Sequence, residues 1–110
     1  MAKTSSKINK IAKRFVTQLE NKNIQVQRLI LFGSHAAGKA KQYSDIDIAV
    51  ISPAFENKGI LKRQELLGEA IYPLQEPIEA LGFTPREYAN AAPMSFLSEI
   101  IVTGKVLYEN

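Results

Sequence analysis

Asp45 and Asp47, separated by one isoleucine, are the residues of this chain best placed to do chemistry. The run from Asp45 to Ile51 alternates polar and apolar residues, as a strand does. Residues two apart in a strand point to the same side. Asp45 and Asp47 therefore share one face, while Ile46, Ile48 and Val50 share the other and face the core. Two carboxylates about 4 Å apart repel by roughly 4 kcal/mol at an effective dielectric near 20, before solvent relaxes around them. A cation offsets that repulsion. Hard carboxylate oxygens suit Mg²⁺, which takes one or two carboxylates together with substrate phosphates. An isolated Asp-x-Asp is explained as well by two charges facing water at a strand end. A calcium loop is excluded, because Ala49 and Val50 stand where its third acid and its glycine belong.

A glycine-bounded turn precedes the pair. Gly33-Ser34-His35-Ala36-Ala37-Gly38-Lys39-Ala40 comes close to the Walker pattern of a phosphate loop. The mismatch falls on a residue the chemistry needs: Ala40 lacks the hydroxyl that ligates Mg²⁺. Gln42, Tyr43 and Ser44 also lead straight into the next strand, where a Walker loop needs a long helix. The Walker reading is rejected on both counts. The combination that remains is Gly33-Ser34, then ten residues, then Asp45-Ile46-Asp47. Glycine lets the backbone approach a phosphate closely, and Ser34 adds a hydroxyl donor. A turn that grips a triphosphate, facing carboxylates that hold metal, is equipment for nucleotidyl transfer. These four residues match by chance on the order of once per thousand such chains.

The flanking elements follow from spacing. Ser5 or Ser6 caps a helix whose apolar face is Ile8, Ile11, Ala12, Phe15, Val16 and Leu19, ending near Asn21 to Asn23. Val26 to Phe32 reads as a strand, and Gly33 to Gln42 as a turn holding one helical turn. Asp45 to Ile51 is the second strand, broken at Ser52-Pro53. Asn57 to Leu74 reads as a helix and Pro77 to Phe83 as a third strand. Thr84-Pro85-Arg86-Glu87 is a capping box. Pro93 starts a further helix with Phe96, Leu97, Ile100 and Ile101 on its apolar face, ended by Gly104. Val106 to Tyr108 is a last short strand. The order predicts an α/β (α+β) fold, a small mixed or antiparallel sheet with helices mainly on one face.

The bulk properties leave a soluble, single-domain reading over residues 1–110, with 45% hydrophobic and 23% charged residues. Cysteine is absent, which excludes disulfides, thiolate zinc sites and a cysteine nucleophile, and fits a cytoplasmic location. No apolar run is long enough to span a membrane, and the basic N-terminus lacks the apolar stretch of a signal peptide. The net charge is +3, with Lys3, Lys7, Lys10, Lys13 and Arg14 crowded at the start. No aromatic residue interleaves them, so a solvated helix face is preferred to a nucleic-acid surface.

Gly-Ser, ten residues, then Asp-x-Asp, flanked by "LILF" and "IAVI", resembles the nucleotidyltransferase superfamily that includes DNA polymerase beta. Its short length is similar to that of the minimal nucleotidyltransferases, the antitoxins of prokaryotic HEPN–MNT toxin–antitoxin pairs. The resemblance runs from about Phe15 to Glu109. It implies the nucleotidyltransferase fold, ATP as substrate and Mg²⁺, two ions, as cofactor. It implies a HEPN toxin as partner, whose tyrosine receives AMP. It also implies a third carboxylate on a later strand, for which Glu79 is the candidate and Glu76 the fallback. Asp45, Asp47 and Glu79 are then the catalytic and metal-binding set, with Glu79 helping to activate the attacking hydroxyl. Gly33, Ser34, Ser44 and Lys39 hold the nucleotide. Many relatives carry arginine where this chain has His35 or Ala37, so Lys39 or Lys41 has to supply positive charge. His35 is read as a loop residue rather than a base.

Two further readings stand beside that one. The first is a catalytically silent antitoxin that neutralises its partner by binding alone. The second is a drug-modifying nucleotidyltransferase, which needs more chain to bind its acceptor. Met94, Phe96 and Leu97, with the basic first helix, offer a docking face for a protein acceptor, although core packing also suits Phe96 and Leu97.

Overall fold

In a computed structural model, described over residues 5–110, one four-stranded sheet organises the chain. Helix α1 (Ser6–Asn21) is capped by Ser5, whose hydroxyl accepts from the Ile8 N–H at 3.1 Å. Strand β1 (Arg28–Phe32) runs into a single helical turn, α2 (Gly33–Ala37), closed by Gly38 in the left-handed conformation. Strand β2 (Ile46–Ile51) returns antiparallel to β1. Helix α3 (Ile60–Ile71) follows, then β3 (Ile78–Phe83), the short α4 (Pro85–Ala89), α5 (Phe96–Thr103) and β4 (Lys105–Glu109). The strand order is β3-β2-β1-β4. Only β2 and β3 are parallel, as α3 carries the chain back to the same end before β3 begins.

Strand alternation splits the apolar residues between two faces. Leu29, Leu31, Ile46, Ile48, Val50, Ile78 and Ala80 join the larger core beneath α1 and α3. That core includes Phe15 and Leu19, which α1 buries completely. Ile30 and Ala49 point to the opposite side, where Ile100 of α5 covers them. Gly104 permits that close approach, because a Cβ there would overlap the Ile100 carbonyl and the Ile30 side chain. The sheet is mixed, as expected, with its two longest helices on one face and α5 on the other.

The element boundaries show where local pattern fell short. The helix expected from Asn57 to Leu74 is α-helical only from Ile60 to Ile71, and Pro73 falls in a 3₁₀ turn at Tyr72–Leu74. Proline has no N–H to continue the α-helical ladder. Pro93 does not start the last helix: Ser95 does, its hydroxyl accepting from the Ser98 N–H at 3.1 Å. The capping box forms in full, with Thr84 and Glu87 each bonded to the other's backbone N–H. Lys7, Lys10, Lys13 and Arg14 lie on the solvent side of α1; Lys3 lies outside the described residues. No helix among the described residues is long and apolar enough to cross a membrane.

Candidate active site

The face opposite α1 and α3 carries the acidic residues. Asp47 is the direct cross-strand neighbour of Phe32 in β1 and of Glu79 in β3. A row therefore crosses three strands, Phe32–Asp47–Glu79, with all three side chains on the α5 side. Strand parity places Asp47 opposite Ile46 and Ile48, and the parallel pairing places Glu79 beside it. Asp47 is half-buried and Glu79 exposed.

Gly33 sits immediately beyond Phe32 and packs directly on Asp47. Its φ is +73°, and a Cβ at this position would collide with Asp47 Oδ2. Only glycine meets both requirements. Ser34 follows in α2, half-buried, and Lys39 lies just past the left-handed Gly38. Gly33, Ser34, Lys39, Asp47 and Glu79 all line one open cleft of about 990 Å³. Five of the seven residues singled out from sequence thus meet in one place.

Asp45 and Ser44 do not line that cleft. Asp45 precedes β2 and is exposed, so its side is set by the loop as well as by strand alternation. The Ser44 hydroxyl accepts from the Lys41 N–H at 2.8 Å, and the Ser44 N–H donates to the Lys41 carbonyl at 3.0 Å. His35 Nε2 lies 3.3 Å from the Ser44 carbonyl. His35 and Ser44 thus tie the loop before Asp45 back to α2. Glu76 lies outside the cleft, ahead of β3, and pairs with Arg14 at 3.6 Å.

The electrostatics single out Asp47. Its carboxyl is pushed above the usual range, first by burial, then by the charges of Glu79 and Asp45, while His35 pulls the other way. This carboxylate is therefore short of positive charge. Among the described residues, no group of three or more His, Asp or Glu side chains converges to hold a metal by itself. Mg²⁺ keeps part of its shell for water and phosphate oxygens and needs one or two carboxylates from the protein. Asp47, with Glu79 or Asp45, would supply such donors.

Sequence reasoning missed the contribution of α5. Phe96, Glu99, Ile100 and Thr103 all line the cleft. Their spacing of three, four and seven residues was the available signal, since it marks one face of a helix. Phe96 meets Phe32 edge to face, with ring centres 5.8 Å apart and planes at 84°. Phe96 remains 57% exposed.

The family model for the nucleotidyltransferase domain matches residues 8–104. The chain belongs to the nucleotidyltransferase-domain family. The match takes in the turn at Gly33, both aspartates and Glu79. Among solved structures, a Sulfolobus solfataricus protein assigned as a nucleotidyltransferase superposes with a TM-score of 0.69 at 18% identity, covering 100% of this chain and 93% of that one. A chain of a toxin–antitoxin complex with AMP-PNP gives 0.58 at 22% identity, covering 89% of this chain and 73% of that one. A complex of tri-AMPylated Shewanella oneidensis HEPN toxin with MNT antitoxin gives 0.55 at 20%, covering 96% and 74%. At these identities the likeness shows the nucleotidyltransferase fold. No curated protein matches the chain.

Proposed function

We propose that this protein transfers AMP from ATP to a tyrosine hydroxyl of a HEPN-type toxin, and so acts as an antitoxin in the cytoplasm. The row Phe32–Asp47–Glu79, with Gly33 pressed against the Asp47 carboxylate, carries this reading. A glycine turn, a carboxylate short of positive charge and a second carboxylate on one cleft wall suit the phosphates of a nucleotide and their metal. The fold likeness to toxin–antitoxin complexes, one with AMP-PNP and one with an AMPylated HEPN toxin, supports the choice of nucleotide and partner.

The roles follow from chemistry and position. The Gly33 backbone and Ser34 hydroxyl donate to phosphate oxygens, and Lys39 adds positive charge at the mouth of the cleft. Asp47 and Asp45 would hold Mg²⁺, with Glu79 completing the donor set. Bound Mg²⁺, as one ion or two, would neutralise charge building on the phosphates and the leaving group. Glu79 accepts the proton of the incoming hydroxyl. The hydroxyl oxygen then bonds to the α-phosphorus, the bond to the β-phosphate oxygen breaks, and pyrophosphate leaves. The product is an AMP–tyrosine phosphodiester, which the partner keeps.

The test mixes this protein, its HEPN partner, ATP and Mg²⁺, and reads the partner's intact mass. One or more added AMP groups are expected, and none with the Asp45→Asn, Asp47→Asn double variant. If no mass is added and the double variant neutralises the toxin as well as the wild type does, the protein acts by binding alone.

A further inference from the structure

We infer that the cleft-facing side of α5 is the nucleoside subsite: Phe96 stacks on the base and Glu99 accepts hydrogen bonds from the nucleoside. This inference rests on the nucleotide-binding reading of the same cleft, and deepens it.

Among the described residues, Phe32 and Phe96 are the only aromatic side chains lining the cleft. Phe32 stands beside Asp47 in the sheet and directly precedes the phosphate-facing Gly33. It supports Phe96 edge-on, which limits how the Phe96 ring can turn. A ring held by one partner yet 57% exposed leaves apolar area for a flat ligand. A nucleotide whose phosphates lie at Gly33 and Asp47 carries its own planar ring system, attached through one sugar. Stacking on a side-chain ring suits every base, since each has a π-face.

The polar groups beside the ring fit the same ligand. Glu99 is one helical turn from Phe96 and lines the same cleft. Among the described residues no basic side chain pairs with it. A carboxylate is an acceptor only, and ribose hydroxyls and exocyclic amino groups are donors. Carboxylate-to-ribose hydrogen bonding is an established way to hold a nucleoside. The acceptor tyrosine has to bring its hydroxyl to Glu79, in the edge strand β3.

The test uses calorimetry with Mg²⁺ and two ligands, AMP-PNP and inorganic tripolyphosphate, which has no nucleoside. Phe96→Leu keeps apolar volume and removes the ring; Phe96→Trp keeps a ring. Phe96→Leu is expected to weaken AMP-PNP about 5- to 100-fold and tripolyphosphate less than about twofold, with Phe96→Trp near wild type. Glu99→Gln is expected to weaken AMP-PNP alone, by a smaller factor. Equal weakening of both ligands by Phe96→Leu would mean that the ring only supports the phosphate site, and would overturn the inference. So would unchanged AMP-PNP binding with impaired transfer to the partner, which would assign the ring to the acceptor. A wild-type protein that binds neither ligand would remove the nucleotide reading itself, and this inference with it.

Discussion

The two faces of the sheet are built from the same strands and do opposite work. Beneath α1 and α3, residues 29, 31, 46, 48 and 50 interlock with Phe15 and Leu19 in a closed apolar core. On the α5 side the same strands present Phe32, Asp47 and Glu79 to an open cleft, whose lining also takes in Gln64, Leu67, Gly68 and Ile71 of α3, and among the described residues Ile30, Ala49 and Ile100 are buried together there. One face gains free energy by excluding water. The other keeps a half-buried carboxylate in the company of two more, which costs free energy until a cation arrives. A one-residue slip of β2 would exchange the two sets. The closed face therefore fixes the register that the open face needs.

The largest expected effect separates function from stability on the open face. Asp47→Asn should lower AMP transfer by about 10⁴-fold, since it removes a metal-binding charge. The metal-free protein should be no less stable, and slightly more so at neutral pH. The sign follows from Asp47 being raised when folded. The folded state then holds the proton more tightly than the unfolded state. The carboxylate's cost is absent below its unfolded pKa, appears as pH rises toward the raised value, and is complete above it. Denaturation of the chelated protein across pH, with and without the substitution, reads this; a large loss of stability at neutral pH would contradict it.

The converse substitution tests the closed face. Phe15→Ala should cost about 3–5 kcal/mol, because a fully buried ring leaves a cavity. Activity per folded molecule should hardly change. A urea titration paired with a transfer assay below the unfolding midpoint measures both.

Glu79→Gln should slow transfer by about 10²-fold and leave AMP-PNP affinity within a few-fold, as expected of a group that acts mainly on the incoming hydroxyl. Glu76→Gln should leave both unchanged, since Glu76 faces Arg14. If the two results were exchanged, the role given to Glu79 would belong three residues earlier.

The smallest effect lies at the end of β3, where Arg63 also donates to the Gly82 carbonyl. Arg63 holds Glu87 at 2.7 and 3.3 Å, and this bonding lowers the Glu87 carboxyl below its usual range. Glu87→Gln should cost under about 1 kcal/mol, discounted because the side chain is 44% exposed. That stabilisation is present above the unfolded pKa and is lost as pH falls through the lowered folded value, so the variant and wild type should converge in acid.

Much of the fold was legible because it is local. The alternation from Asp45 to Ile51 set which side chains face the core, and the Thr84–Glu87 box and the Ser5 cap were readable from a few residues each. Glu79 was a different matter. That it lies opposite Asp47 depends on a parallel pairing between segments some thirty residues apart, which no local pattern encodes. Proline at 93 hid the cap at Ser95, and the apolar face read for this helix included Phe96 and Ile100 but not Glu99 and Thr103, which line the same cleft. Ser44, expected to help hold the nucleotide, does not line the cleft, and its hydroxyl accepts from the Lys41 N–H of its own turn.

The central claim is that the open face performs nucleotidyl transfer through Asp47. It is tested most directly with ATP labelled at the α-phosphate, Mg²⁺ and the HEPN partner, comparing the wild type with Asp47→Asn at equal folded concentration. The account predicts label on the partner with the wild type and almost none with Asp47→Asn. Equal labelling by the two proteins would contradict it.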